Sequence, residues 1–436
     1  MSTELLLTIG MFGTMIFSIM MGVSLAFAMG GIAVITALLL YGTAGLMPIV
    51  SGVFNYMWML LLAAVPLFIF IGVALSKSKI AEDMYDAFYL WSGKLRGGLA
   101  VGTCAFAAAL SAMTGNCSAS TITTGLVAIP AMRRHKYQES MIFGSIGSAG
   151  TMGILIPPSI TLIVIGMMTG QSIGKLFAGG LVAGCLIVAA FMIYIIIRSW
   201  LQPDLCPALQ ETITFKKKML ALKSVALPLL IMLSILGSLF FGIATPTEAA
   251  SVGALAVLIC VAIRRELTWQ FIKDVATQTA SITGMVLWIM FGASGFIAIY
   301  SGGGGIYFMS SLLTGIDVSP WVMILILQGA VLVLGMFLDP MGIILLCMPI
   351  FYPVVKALGF DPIWYGVIFN IALCIGYITP PFGYNLFYLK SLSPSTEMKT
   401  IVSSVMPFIG IMLISLIIMT IFPSIIMWLP QIMDVK

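Results

Sequence analysis

The fold class that this sequence predicts is an all-α polytopic membrane protein, an inverted repeat with two re-entrant helical hairpins and two Pro-Pro-broken helices. Three observations lead there. Of 436 residues, 8% are charged and 61% hydrophobic, whereas a soluble domain carries about a quarter charged residues to wet its surface. The charges are bunched between long uncharged runs. Landmark residues of the first half recur in the second at a constant offset of 223.

The uncharged runs define the spans. No charge falls between Glu4 and Lys77, and at about 20 apolar residues per crossing that run holds three crossings. Further runs cover 97–132, 140–174, 176–197, 224–247, 275–316, 318–338, 362–389 and 400–433. The ~10-residue alternating segments of a β-barrel do not occur. Basic clusters mark cytoplasmic loops: Lys77/Lys79, Lys94/Arg96, Arg133/Arg134/Lys136, Arg198 through Lys216 to Lys223, Arg264/Arg265 and Lys390/Lys399. The opposite loops (41–56, 168–174, 301–319 and 357–361) hold Asp317, Asp361 and little else.

Run 97–132 has basic clusters at both ends, so a single crossing would strand one of them outside. A hairpin entering from the cytoplasm satisfies both, turning in the small polar stretch Ser111 to Ser118. The offset of 223 sets Pro130 on Pro353, Tyr137 on Phe360, Gly153 on Gly376 and Pro157-Pro158 on Pro380-Pro381. It also sets Thr114-Gly115-Asn116 on Phe337-Leu338-Asp339, which predicts a second hairpin over about 320–355, turning at Asp339 with its ends outside. Each half thus reads as three spans, a hairpin, a broken span (139–169 and 362–390) and a final span. The first half runs out to in and the second in to out, a construction typical of secondary transporters.

Several function classes are excluded. A net charge of +5 sits at helix ends and leaves no footprint for nucleic acid. Seven cysteines form no CxxC pair and read as free buried thiols. The one histidine, His135, lies in a basic loop, so no metalloprotease or nucleophile–base pair is available. Gly302 to Gly305 lacks the Lys-Ser/Thr of a phosphate loop and reads as a turn. Residues 5–21 lack a basic leader with a small-residue cleavage site and read as a retained span.

The chemistry concentrates at the breaks. Each Pro-Pro pair removes amide donors and frees backbone carbonyls, oxygen ligands for a hard cation, and Thr151, Ser159, Thr379 and Asn385 add side-chain oxygens nearby. Asp339 has 21 uncharged residues before it and 16 after. An unpaired carboxylate at membrane depth costs about 3 kcal/mol, which leaves Na⁺, a proton or a helix N-cap as its partner. Glu248 reads structurally, in the first turn of a helix capped by Thr245 or Thr247. With no basic residue in the apolar centre, an anionic substrate would be met by helix N-termini, hydroxyls and co-bound cations.

The stretches Gly153-Ile-Leu-Ile-Pro157-Pro158-Ser159, Gly242 to Ala250, Phe337-Leu338-Asp339, Ile375 to Gly383, and Ser172 to Ala178 resemble the large membrane subunit of TRAP (tripartite ATP-independent periplasmic) transporters. The resemblance implies Na⁺-driven uptake of an organic acid across the bacterial inner membrane by an elevator-type transport domain. It also implies a small four-helix membrane subunit, expected on a separate chain because no such domain precedes residue 1, and a periplasmic substrate-binding protein. The chain would divide into scaffold spans 1–76 and 224–300, transport-domain parts 77–199 and 301–436, and a cytoplasmic connector 200–223. Candidate Na⁺ ligands are Thr114, Gly115, Asn116, Gly153, Asp339, Gly376, Thr379 and Pro380. Candidate substrate contacts are Ser111, Asn116, Cys117, Ser159, Asp339 and Asn385. The family's first turn typically reads Ser-Gly-Ser-Ser, and here it is Thr114-Gly115-Asn116-Cys117, a departure that points to an unusual substrate, a sulfonate among the options, or altered ion geometry. The alternative is a stand-alone Na⁺/divalent-anion symporter needing no binding protein.

Overall fold

The computed structural model describes residues 3–92, 95–207, 215–315 and 318–433, and every regular element among them is a helix. The expected end markers Lys94 and Asp317 lie outside the described residues. The first half begins with α1 (Thr3–Met20), α2 (Leu25–Tyr41), α3 (Leu46–Met57), α4 (Ala64–Lys77) and α5 (Ile80–Ser92). It continues with α6 (Gly98–Thr114), α7 (Cys117–Arg134), α8 (Glu139–Gly150), α9 (Ile160–Thr169) and α10 (Ile173–Leu201). The second half holds α11 (Phe215–Phe240), α12 (Pro246–Ile263), α13 (Trp269–Gly302), α14 (Gly305–Thr314) and α15 (Pro320–Gly335). After these come α16 (Pro340–Ala357), α17 (Pro362–Ile378), α18 (Tyr384–Leu392), α19 (Met398–Ile421) and α20 (Ser424–Ile432). Among the described residues eight helical segments are long and apolar enough to cross a membrane, 25–57 counting as one.

The offset of 223 holds for whole elements. It carries 117–134 onto 340–357, the bounds of α16, and 160–169 onto 383–392, one residue from α18. It also carries 46–77, which spans α3 and α4, onto 269–300, which is the single long helix α13. Pro66 accounts for that difference. Its ring would clash with the carbonyl four residues earlier in a continuous helix, so the chain breaks over 58–63. The second copy has Ile289 at the matching position and continues unbroken. Residues 41–56, expected as an outer loop, are therefore mostly helical. Pro48 is tolerated there because it lies in the first turn of α3, where no amide is needed.

Both expected hairpins form as helix pairs, α6 with α7 around Gly115-Asn116 and α15 with α16 around Met336–Asp339. Both Pro-Pro stretches interrupt their helices, leaving α8 and a single 3-10 turn (Thr151–Ile154) before α9, and α17 before α18. Packing is crossed between the halves: α9 lies on α16, and α18 lies on α7. α17 is buried at every residue from Ile363 to Ile378. The helices α2, α3 and α4 pack against α13, and α12 against α4 and α11.

Caps and ion pairs fasten the ends. Thr245 caps α12 in a capping box with Glu248, as the sequence indicated. Arg133 donates from Nε and one guanidinium nitrogen to both carboxylate oxygens of Glu139 at 2.9 Å, and also to the hydroxyls of Ser393 (2.8 Å) and Thr396 (2.9 Å). It thereby ties the ends of α7, α8 and α18. Arg264 reaches Asp83 at 2.6 Å and joins α12 to α5. His135 is half-buried, its Nε2 3.3 Å from the Tyr89 hydroxyl, rather than free in a solvated loop. All seven cysteines are free thiols, but Cys185 is exposed, so the expectation of uniform burial fails there.

Close backbone contacts make some glycines obligatory. A Cβ on Gly376 would sit 2.6 Å from the Gly335 Cα, whereas one on Gly237 would meet nothing within 4 Å. Gly376→Ala is expected to lower stability by about 1–3 kcal/mol through overpacking. Gly237→Ala in α11, where the added methyl meets open space, is expected to be neutral or slightly stabilising. Thermal unfolding of the two purified variants checks the contrast.

Candidate functional site

The two hairpin turns are built alike. Gly115 adopts φ +59° and closes α6 through its amide to the Ser111 carbonyl (2.9 Å). A side chain there would come within 2.4 Å of the Pro158 carbonyl, so the turn presses directly on the first Pro-Pro loop. Asn116 then caps α7, its Oδ1 accepting from the Ser118 amide (2.9 Å) and hydroxyl (2.7 Å). In the second copy Asp339 caps α16, its Oδ2 accepting from the Met341 amide (3.0 Å). The hydrogen bonds among the described residues leave the Asn116 Nδ2 and the Asp339 Oδ1 unclaimed.

Both caps line the same two cavities, which share Asn116, Met285, Asp339 and Tyr377. The inner one, about 70 Å³, is walled by Gly115, Asn116, Cys117, Ile154, Thr161, Asp339, Pro340, Met341 and Tyr377, and closed on the far side by Ile282, Met285 and Val286 of α13. The outer one, about 630 Å³, adds Ser118, Leu338, Tyr384, Tyr388, Trp288, the α1–α2 connection from Gly22 to Ser24 and the first turn of α2 from Leu25 to Phe27. Residues related by the offset of 223 recur in these walls: Asn116 with Asp339, Cys117 with Pro340, Ser118 with Met341, Ile154 with Tyr377, and Thr161 with Tyr384. The N-termini of α7 and α16 thus converge on one space, bringing positive dipole ends from both halves. Among the described residues, Asp339 is the only Asp, Glu, Lys, Arg or His in either wall.

Except for Cys117, which lines the smaller cavity, the other expected site residues stand apart from this space. Gly153 packs on the Asn116 and Cys117 backbone and Gly376 on Gly335, so both support the turns from behind. Thr114 ends α6, its hydroxyl 3.3 Å from the Asn116 carbonyl. The Cys117 thiol donates to the Thr151 carbonyl at 3.0 Å. Ser111 is buried in a pair with Ser120 (2.8 Å), and Asn385 is buried with its Nδ2 on the Gly147 carbonyl (2.6 Å). Ser159 caps α9 and donates to the Ile154 carbonyl. Thr379 donates to the Ile375 carbonyl (2.5 Å), and neither it nor Pro380 lines either cavity.

The first Pro-Pro break frees the Ile154 carbonyl, but that oxygen is already occupied. It accepts from Ser159, from Thr161 (2.8 Å) and from the Asn370 amide of α17, and Thr161 also donates to Asn370 Oδ1 (3.1 Å). Sequence reasoning missed Thr161, Asn370, Tyr377, Tyr384, Tyr388 and the α13 wall. Applying the offset to the turn flanks, and noting a second amide besides Asn385 inside the apolar run 362–389, would have found the first four.

The chain is 31% identical over 371 residues to the C4-dicarboxylate TRAP transporter large permease protein DctM of Pseudomonas aeruginosa, covering 85% of this chain and 86% of that protein. The Vibrio cholerae protein of the same description is 28% identical, over 98% of this chain and 97% of that one. The isethionate TRAP transporter permease protein DctMQ of Oleidesulfovibrio alaskensis is 29% identical, over 95% of this chain and 65% of that longer one. Among solved structures, the YdaH transporter of Alcanivorax borkumensis superposes with a TM-score of 0.65 at 14% identity, over 92% of this chain and 96% of that one, a likeness of fold. The family model described as tripartite ATP-independent periplasmic transporter, DctM component, matches residues 12–425, so the chain belongs to that family and is a multi-pass protein of the inner membrane.

Proposed function

We propose that this chain is the permease of a sodium-coupled secondary transporter that takes up a small organic acid anion, a carboxylate or sulfonate. In this reading a periplasmic binding protein delivers the acid, and a small four-helix membrane subunit completes the assembly. The observation that carries the reading is the meeting of two helix-capped turns, Asn116 and Asp339, in one cavity against α13. Paired broken elements around a central site are the architecture of secondary transporters.

Na⁺ is assigned to the oxygens around Thr114, Gly115, Asn116 and Gly153 at the first turn, and around Asp339, Gly376, Thr379 and Pro380 at the second. The cation makes the site attractive to an anion, and by linkage the anion raises the affinity for the cation equally. The hairpins, the broken helices, α10 and α19 form the moving unit of an elevator, both hairpins being re-entrant, and α1–α4 with α11–α13 form the scaffold. Two features support this division: the crossed packing fastens the two hairpins to each other's broken helices, and both cavities lie on the seam with α13. With basic clusters inside, the α1–α2 connection that lines the larger cavity falls on the cytoplasmic side, and the arrangement is read as release-competent.

Uptake into proteoliposomes carrying this chain and its small subunit tests the reading. Accumulation that requires both an inward Na⁺ gradient and the binding protein is expected. Accumulation with Na⁺ alone would replace it with a stand-alone symporter. Asp339→Ala is expected to reduce Na⁺-driven uptake more than tenfold while membrane insertion, read by fractionation, is unchanged. Thr379→Ala is expected to raise the Na⁺ concentration for half-maximal uptake about tenfold, checked by an Na⁺ titration at fixed substrate.

A further inference from the structure

Away from the hairpin turns, α5 and α11 meet and leave a pocket of about 280 Å³ between them. It is lined by Ala87, Phe88 and Trp91 of α5 and by Val225 and Leu229 of α11. Trp91 is 45% exposed and Leu229 37%, so the pocket opens outward. Its rim is basic. The Trp91 indole Nε1 donates to the Lys218 carbonyl at 3.2 Å, and the Lys218 ammonium donates to the Trp91 carbonyl at 3.4 Å, 5.7 Å from the centre of the ring. Lys216 and Lys217 stand with Lys218 in the first turn of α11, both exposed. The carboxylates of α5, Glu82, Asp83 and Asp86, lie toward its start, and Asp83 is paired with Arg264.

Lys218, Val225 and Leu229 share one face of α11, at spacings of seven and four. At 1.5 Å per residue Val225 lies roughly 10 Å deeper in the bilayer than Lys218. A cationic rim, an interfacial tryptophan and an apolar pocket below them match the profile of a phospholipid from phosphate to acyl chain.

We infer that this pocket holds an anionic phospholipid of the cytoplasmic leaflet, its phosphate at Lys216, Lys217 and Lys218 and an acyl chain against Phe88, Val225 and Leu229. The lysine stems cover apolar surface while their ammonium groups meet the headgroup. A zwitterionic lipid would bring its own cation to the same lysines, and a free phosphate would leave the apolar pocket unfilled. Bound there, the lipid bridges α11 and α5, the link between α4 and the first hairpin.

The test is native mass spectrometry of the purified full chain from micelles doped with equal amounts of phosphatidylglycerol and phosphatidylcholine of one acyl length. A lysine near an anionic headgroup contributes roughly fivefold, so phosphatidylglycerol adducts are expected to exceed phosphatidylcholine adducts at least tenfold. Combining Lys216→Gln, Lys217→Gln and Lys218→Gln should bring the two near parity, while arginine at the same positions keeps the preference. Leu229→Trp, which fills the pocket, should lower the phosphatidylglycerol adduct more than tenfold with the thermal transition retained. Equal adducts on the parent chain, an undiminished preference in the glutamine variant, or displacement of the lipid by inorganic phosphate would overturn the inference. Loss of the adduct when the small membrane subunit is co-purified would give the pocket to that subunit and overturn it as well. The transport reading stands under each of these outcomes.

Discussion

Everything in this structure turns on how interrupted backbone is satisfied where water is scarce. A helix hides its amides and carbonyls internally, and each break exposes several that must find partners. Here the partners are polar side chains, some from the same broken segment and some brought in from the other half of the chain. The Ile154 carbonyl, released by the first Pro-Pro loop, is held by two hydroxyls from its own broken segment and by Asn370 from α17. The Gly147 carbonyl is held by Asn385 of α18. These contacts make the two halves interdependent and fix the hairpin tips against the loops, where Gly115, Gly153, Gly335 and Gly376 allow backbone to touch backbone.

Duplication supplies the frame, and divergence between the copies supplies the chemistry. The caps Asn116 and Asp339 occupy equivalent positions and make the same two-residue hydrogen bond to the following amide. One is neutral and the other acidic. Likewise Thr161 has become Tyr384 and Ile154 has become Tyr377, so a small wall in one half faces an aromatic wall in the other. The Pro66 to Ile289 exchange has a structural effect of the same kind, leaving two helices in the first half and one continuous wall, α13, in the second.

Much of this was legible in the sequence. The charge gaps marked the apolar segments, the flanking basic clusters located the first helix pair and the offset of 223 the second, each within two residues of its bounds, and the Pro-Pro pairs marked both breaks. Asp339 stood out because an acid inside an apolar run demands a reason. What escaped has a common cause: sequence shows which polar groups exist but not which backbone group claims them. Ser111, Ser159 and Asn385 were read as facing the site because they lie near the turns, yet each is engaged by a neighbour inside the packing. The helical stretch 46–57 was read as loop because it lies between two spans and carries no distinguishing pattern. The wall supplied by α13 was invisible because its contribution is mostly apolar contact from a remote segment.

The exchange of partners between halves also sets an order of assembly. The hairpin α6–α7 is complete once residue 134 is made, but α18, on which α7 packs, begins at Tyr384, and α9 waits for α16 at Pro340. The nascent first half therefore holds its unclaimed carbonyls and small-residue faces open while more than two hundred further residues are synthesised. Contacts so distant in sequence close slowly. Either half expressed alone would lack the surfaces that complete it, like one hand of a clasp, and maturation becomes a single late event that joins both.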